Sequence, residues 1–164
     1  STLNTLLMLF NLAGVDKGLY DLYQRLRRRH PPAEEQVFQP VSGAAALLGS
    51  LSQRYRLALV TSRRQEEVNA FLAQNGLVDC FQAVITREVA PRLRPHPQAV
   101  LKAAAMLQVP VEQCVLIGDT QVDIRCAKAA GALAIGILSG YGEANDLDDA
   151  DLVLDSLSHV SNWL

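Results

Sequence analysis

Unbroken apolar runs alternate along the chain with segments in which apolar residues recur every three or four positions. The runs predict buried strands at 5–10, 57–60, 81–86, 114–117, 133–137 and 152–154. The periodic segments predict helices at 18–29, 42–52, 64–75, 98–108, 120–130 and 156–164. Strands that alternate with helices of this length indicate βαβ crossovers. The pattern therefore predicts an α/β fold, with a mostly parallel sheet and helices on both of its faces.

Composition adds the expectation of one ordinary globular domain. The chain has 164 residues, of which 49% are apolar and 20% charged, and this is long enough to bury a core. Its net charge of −2 gives no indication of a surface that binds nucleic acid, and the first apolar run is too short to span a bilayer. We expect a single domain over residues 1–164, with neither nucleic acid nor a membrane among its partners.

The three cysteines carry information about the compartment. Cys80, Cys114 and Cys126 are odd in number and lack the CxxC spacing, which argues against a disulfide framework or a zinc site. No lysine or arginine precedes the first apolar run, which argues against a secretory signal. Both observations favour a reducing, cytoplasmic location.

Two carboxylates follow the apolar run at 114–117. Asp119 comes directly after Gly118, and Asp123 lies four residues later on the first turn of the next predicted helix. Ligands of parallel sheets bind past the carboxyl ends of the strands, and oxygen ligands suit a hard cation such as Mg²⁺. Asp119 and Asp123 are thus candidate metal ligands. The alternative is that both merely favour the N-terminus of a helix.

Groups that suit a phosphate follow the strand at 57–60 and lie in the loop at 87–97. Thr61 and Ser62 offer hydroxyl and backbone N–H groups, although they would equally serve as caps of the next helix. Arg94 stands before a proline in a loop that prolines stiffen, which would present its guanidinium to a site. The alternative for Arg94 is an ordinary surface arginine.

In this order the motifs resemble the haloacid dehalogenase (HAD) superfamily, and within it the phosphoglycolate phosphatase-like branch. The resemblance covers essentially the whole chain and rests on Thr61-Ser62, RPHP at 94–97, GDTQVD at 118–123, AKAAG at 127–131 and DLVLDS at 151–156. It implies a three-layer, HAD-like Rossmannoid fold. It also implies that Thr61, Ser62 and Arg94 bind phosphate, and that Asp119 and Asp123 bind Mg²⁺.

The first motif of that superfamily is degenerate in this chain. Relatives open with a strand and Asp-x-Asp-Gly, in which the first Asp is the nucleophile and a Mg²⁺ ligand, and the second is the general acid/base. Here FNLAGV occupies residues 10–15, so that Asn11 and Ala13 stand at the two catalytic positions. An amide is a poor nucleophile, although the Asn11 oxygen remains a weaker metal ligand. The resemblance thus implies a weakened Mg²⁺ site.

The insertion that follows this motif is short. The branch usually carries a helical cap of substantial size here, whereas residues 16–40 leave room for one helix and a Pro-rich loop. We expect a minimal cap, reduced or absent. Family members without caps often act on large substrates or complete the lid with a neighbouring subunit, so a homo-oligomer is among the expected states.

Four functional hypotheses follow. The first is a catalytically impaired phosphatase-like domain that binds a small phosphorylated ligand or a protein partner. The second is a Mg²⁺-dependent phosphomonoester hydrolase, similar to phosphoglycolate phosphatase, seen as an engineered inactive variant. The third, a phosphonoacetaldehyde hydrolase, fits Ala13 but requires the nucleophilic Asp and a cap lysine, for which Lys17 is the candidate. The fourth is an interaction module without a ligand. The replacement of both catalytic aspartates, by Asn11 and Ala13, favours an inactive protein.

Overall fold

A single parallel sheet organises the protein. The computed structural model describes residues 5–9, 40–92, 94–138 and 147–164. Within these, the strands are β1 Thr5–Leu9, β2 Arg56–Val60, β3 Ala83–Ile85, β4 Cys114–Gly118, β5 Leu133–Ile137 and β6 Leu152–Leu154. Their order is β3-β2-β1-β4-β5-β6, and every pairing is parallel. The predicted α/β class with a parallel sheet is confirmed.

Helices cover both faces of this sheet. They are α1 Ala44–Ser52, α2 Gln65–Gln74, α3 Gln98–Leu107 and α4 Gln121–Ala130, and 3₁₀ turns span Val78–Cys80, Val111–Gln113 and Leu157–Asn162. In the described residues, none of the helices has the length and apolarity needed to cross a bilayer.

Alternating strand residues supply two hydrophobic cores, one on each face. Leu116 of β4 packs with α3 and α4, whereas its neighbours Val115 and Ile117 pack with α1 and α2. This is the alternation that a strand imposes when both of its faces are covered. The predicted three-layer arrangement of helices, sheet and helices is therefore confirmed.

Two predicted helix boundaries are wrong. The helix predicted at 42–52, for which Ser42 was the expected N-cap, begins at Ala44, and its N-cap is Gly43 with φ 81°. The closing segment predicted at 156–164 forms a 3₁₀ helix over Leu157–Asn162. Serine hydroxyls bond locally there, since Ser156 Oγ accepts from the Ser158 N–H at 3.3 Å and Ser161 Oγ donates to the Ser158 carbonyl at 3.3 Å. Such bonds compete with a regular α-helix.

The register of the central strands fixes where a site can form. Leu9, at the end of β1, pairs with Val60 on β2, and Met8 pairs with Ile117 on β4. The carboxyl ends of β2, β1 and β4 therefore lie side by side at one edge of the sheet. Asn11, Ala13 and nearly all of the expected cap at 16–40 lie outside the described residues, so the cap and the extent of the domain stay predictions.

An ion pair joins two of the sequence motifs far from this edge. Lys128, near the end of α4, contacts Asp151 just before β6, and the other oxygen of Asp151 accepts the Ala134 N–H at 2.8 Å. Partial burial acts to raise the pKa of Asp151, but the hydrogen bonds from Lys128 and Ala134, together with the positive charge of Lys128, hold the pKa below its usual value. The AKAAG and DLVLDS segments thus have a structural connection.

Candidate functional site

The segment after β2 places the first pair of candidate residues. Thr61 is buried; its N–H donates to the Ile85 carbonyl at 2.9 Å, and its hydroxyl accepts the Arg63 N–H at 3.2 Å. Ser62 is exposed. Because α2 begins only at Gln65, neither hydroxyl caps it, and the capping alternative for this pair is wrong.

The N-terminus of α2 is satisfied by acidic side chains. The Arg64 N–H donates to Oε2 of Glu67 at 3.2 Å, and the Gln65 N–H donates to Oε2 of Glu88 at 3.1 Å. Carboxylates are favourable at this end of a helix because its N–H groups and dipole attract negative charge. The hydroxyls of Thr61 and Ser62 are therefore not needed to satisfy the N-terminus of α2.

Asp123 is held at the junction of β4 and α4. It is fully buried, and its Oδ2 accepts the Thr120 hydroxyl at 2.7 Å. Thr120 is the N-cap of α4, and the Asp123 N–H donates to the Thr120 carbonyl at 3.0 Å. The bond to Thr120 fixes one carboxylate oxygen and leaves the other directed away from Thr120.

Gly118 makes this junction tight. A Cβ built at Gly118 would lie 2.4 Å from Cβ of Asp123 and 2.7 Å from its Oδ2, closer than side chains tolerate. The absence of a side chain at this position thus lets the buried carboxylate pack against the end of β4. Gly118 is a structural requirement of the site.

Gly118→Ala is therefore expected to destabilise the protein by about 1–3 kcal/mol, the usual cost of overpacking. Chemical denaturation measures this change. The matched control is Gly49→Ala in α1, where a Cβ would meet nothing within 4 Å; there the better helix propensity of alanine is expected to raise stability by about 0.5–1 kcal/mol. Equal effects of the two substitutions would contradict the tight junction.

Arg94 meets Asp123 across 29 positions of sequence. Its side chain is only 11% exposed, and Nη1 forms an ion pair with the remaining oxygen of Asp123, Oδ1. The loop thus turns the guanidinium inward, and the surface-arginine alternative does not hold. An unpaired charge is costly to bury at such a depth. The contact between Arg94 and Asp123 therefore offsets the cost of burying each of them.

The three candidate phosphate residues line one small cleft. Its walls are Val60, Thr61, Ser62, Arg87, Ala90, Arg92, Arg94 and Ala99. The space among these walls measures about 270 Å³, including the part that is open to solvent. Thr61, Ser62 and Arg94 thus line the same cleft, and Arg94 also contacts Asp123, which is not among the lining residues. Their role in binding phosphate stays a prediction.

Asp119 follows β4 directly and is half-buried. Its position at the carboxyl edge agrees with its place in the motif. The site as a whole therefore consists of two parts: the polar cleft after β2, and the carboxylates at the start of α4. Arg94 connects them.

The described residues alone do not fit Mg²⁺. Both oxygens of Asp123 are engaged, one by Arg94 and one by Thr120, and the guanidinium would repel a second cation. Among the described residues, no cluster of three or more His, Cys, Asp or Glu side chains is arranged to hold a metal. Mg²⁺ favours six oxygen ligands in octahedral geometry. The metal assignment to Asp119, Asp123 and Asn11 stays a prediction, since Asn11 lies outside the described residues.

Sequence reasoning missed three residues that shape the site. Thr120 orients Asp123, and Arg87 and Arg92 line the cleft. Thr120 was assigned to the predicted helix at 120–130, although a threonine at the start of a helix is a capping signal. The two arginines gave no such signal, because an irregular loop does not reveal which of its side chains turn inward.

A parallel sheet covered on both faces, with polar groups at its carboxyl edge, is typical of α/β domains that bind ligands at that edge. The chain belongs to the haloacid dehalogenase-like hydrolases, whose family model matches residues 4–137. The resemblance inferred from the motifs is thereby confirmed.

Individual proteins agree with this assignment. The chain is 33% identical over 115 residues to phosphoglycolate phosphatase of Nitrosococcus oceani, covering 69% of this chain and 51% of that protein. It is 32% identical over 150 residues to phosphoglycolate phosphatase of Neisseria meningitidis, covering 88% of this chain and 63% of that protein. A crystal structure of a HAD-superfamily hydrolase from Ehrlichia chaffeensis superposes with TM-score 0.71 at 17% identity, covering 98% of this chain and 95% of that one.

The chain spans between about half and two thirds of the length of these two phosphatases. The likeness to the crystal structure, at its low identity, supports the fold.

Proposed function

We propose that this chain is a phosphatase-like domain of the HAD family that binds a phosphate group without hydrolysing it. The observation that carries the proposal is the buried Arg94–Asp123 pair beside Thr61 and Ser62. A cation is fixed there, next to hydroxyl groups, at the edge of the sheet where β1 also ends. Asn11 follows the last residue of β1 by two positions.

The side chains divide the work of holding an anion. Arg94 supplies a permanent positive charge with several N–H donors, a geometry that suits phosphate oxygens. The exposed Ser62 hydroxyl is free to rotate towards a ligand, and Thr61, whose oxygen accepts from Arg63, retains its own O–H as a donor. Thr120 and Asp123 act as positioning residues, because they hold the guanidinium in place.

The groups needed for hydrolysis are lacking at the two positions of the first motif. In the proposed alignment, the side chain of Asn11 replaces a nucleophilic carboxylate, and Ala13 has no group that can exchange a proton. Family phosphatases generally depend on Mg²⁺. Of the ligands expected from the sequence, Asn11 lacks the charge of an aspartate, and Asp123 already bonds Arg94 and Thr120. We propose that Mg²⁺ binds weakly and that the phosphate group is held mainly by Arg94.

Thermal unfolding with inorganic phosphate tests the proposal. Phosphate at about 100 times its dissociation constant is expected to stabilise the native state by about 2.7 kcal/mol, which corresponds to a rise in Tm of about 5–10 °C for a chain of this size. The rise is expected to persist in EDTA, because Arg94 supplies the charge. Ser62→Ala is expected to reduce it, whereas Ser50→Ala, an exposed change in α1, leaves it intact.

Three other outcomes decide between the hypotheses. If neither phosphate nor Mg²⁺ raises the Tm, the cleft is a relic and the interaction-module hypothesis stands. If phosphate stabilises only when Mg²⁺ is present, the metal retains its role and the proposed dominance of Arg94 fails. Turnover of generic phosphomonoesters that a chelator abolishes would contradict the proposal that the chain is catalytically impaired.

A second candidate function has its own support. The two sequence relatives named above are phosphoglycolate phosphatases, so a Mg²⁺-dependent phosphomonoester hydrolase is the alternative, with Asn11 and Ala13 as engineered replacements of catalytic residues. We likewise propose that the ligand is a small phosphorylated molecule or a protein partner. A cytoplasmic location and a homo-oligomeric state are further proposals.

A further inference from the structure

The loop that carries Arg94 is held by its main chain as well as by the Arg94 side chain. Sγ of Cys126, on α4, donates to the carbonyl of His96 at 3.3 Å. His96 lies two residues after Arg94 and two residues before Gln98, where α3 begins. The Cys126 thiol therefore contacts the short segment that joins the candidate phosphate ligand Arg94 to the next helix.

Cys126 and Asp123 hold this loop from the same helix. They lie three residues apart on α4, so that their side chains share one face of it, and both are fully buried. Asp123 binds the guanidinium of Arg94, whereas Cys126 binds the backbone that follows Arg94. The ion pair fixes the end of the arginine side chain, and the thiol fixes the chain from which that side chain extends.

The surroundings of Cys126 keep its thiol protonated. Burial raises the pKa of Cys126 to about 11, although the charge of Arg94 acts in the opposite direction. Only the protonated thiol donates to a carbonyl, so the contact with His96 is present at neutral pH. A hydrogen bond with the Val100 backbone also connects the sulfur to the first turn of α3.

We propose that Cys126 is a positioning residue of the phosphate site, because its bond to the His96 carbonyl fixes the backbone from which Arg94 reaches the ligand. Cys126 is not among the residues that line the cleft, so it acts through Arg94. An arginine held at both ends is preorganised, which reduces the entropy lost when an anion binds. The inference rests on the proposed function, since it presupposes that Arg94 binds phosphate.

Isothermal titration with inorganic phosphate, in EDTA and at fixed ionic strength, tests the proposal. Cys126→Ala removes the donor and is expected to raise the dissociation constant about three- to tenfold, the usual worth of one hydrogen bond. Cys126→Ser is expected to bind phosphate within about twofold of the parent chain. A serine hydroxyl restores the bond to the carbonyl but not the apolar contacts of the sulfur, so this rescue separates positioning from packing.

Cys114→Ala is the matched control. Cys114 is also fully buried, and its Sγ donates to the Pro110 carbonyl at 3.5 Å. It begins β4, at the end of the strand opposite to the site. Urea denaturation is expected to show similar losses of stability in the two alanine variants, whereas Cys114→Ala changes the dissociation constant of phosphate by less than about twofold.

The possible outcomes separate the positioning role from the proposed function. Unchanged phosphate binding by a folded Cys126→Ala variant would overturn the positioning role while the proposed function stands. Equal losses of affinity in the Cys126 and Cys114 alanine variants would also overturn it, because a general loosening of the core would then explain both. The same holds if Cys126→Ser binds phosphate as weakly as Cys126→Ala. A parent chain that binds no phosphate would remove the proposed function, and the positioning role with it.

Discussion

The double variant Asn11→Asp with Ala13→Asp is expected to hydrolyse phosphomonoesters in the presence of Mg²⁺, at a rate at least about 100-fold above the chain as written. The general acid/base alone is typically worth about 10²–10⁴ in rate, and the carboxylate at position 11 supplies both the nucleophile and a charged metal ligand. Thr61, Ser62, Arg94 and the acidic pair are already in the sequence. Release of inorganic phosphate, with and without EDTA, measures the gain.

The two single variants serve as controls for this experiment. Ala13→Asp alone leaves the amide at the nucleophile position and is expected to stay inactive, whereas Asn11→Asp alone is expected to give slow turnover. A double variant that folds, binds Mg²⁺ and remains inert would eliminate the hydrolase alternative. The phosphate-binding proposal would survive that result, because it does not require turnover.

Asp123→Ala is expected to destabilise the protein by about 3–5 kcal/mol, the cost of breaking a buried ion pair from one side. Arg94 would keep its charge at 11% exposure without its carboxylate partner, and Thr120 would lose the acceptor of its hydroxyl. Urea denaturation of the variant and the parent chain measures the difference.

The double variant Asp123→Ala with Arg94→Met separates the effect of breaking the ion pair from the effect of the cavity that the Asp123 side chain leaves. Removal of both charges is expected to cost less than Asp123→Ala alone, because no isolated charge remains buried. Thr120→Val tests the positioning role and is expected to cost about 1–2 kcal/mol. A double variant less stable than the single one would show that the Arg94–Asp123 contact is not the source of the effect.

Features set by local pattern could be predicted from the sequence. The strands at 133–137 and 152–154 were recognisable as bounded apolar runs, and they match β5 and β6. The helices predicted at 64–75 and 120–130 are followed by Gly76 and Gly131, and glycine adopts without strain the positive φ values found there, 65° and 83°. In the helix predicted at 64–75, the apolar residues with three- and four-residue spacing are Val68, Phe71 and Leu72, and all three are buried.

Features that depend on residues far apart in sequence could not be predicted in this way. Arg94 and Asp123 were each recognised as site candidates, but nothing in their spacing shows that one neutralises the other. Likewise, Glu88 satisfies an N–H of α2 from a loop 23 residues away. Such contacts arise from the order of the strands, which the apolar pattern alone leaves undetermined.

The candidate site draws its polar residues from segments that adjoin helices on both faces of the sheet. Ser62 leads into α2, whose apolar face packs on one side of the sheet, whereas Arg94 and Asp123 belong to segments that pack with α3 and α4 on the other. An anion that touches both Ser62 and Arg94 would act as a brace between the outer layers.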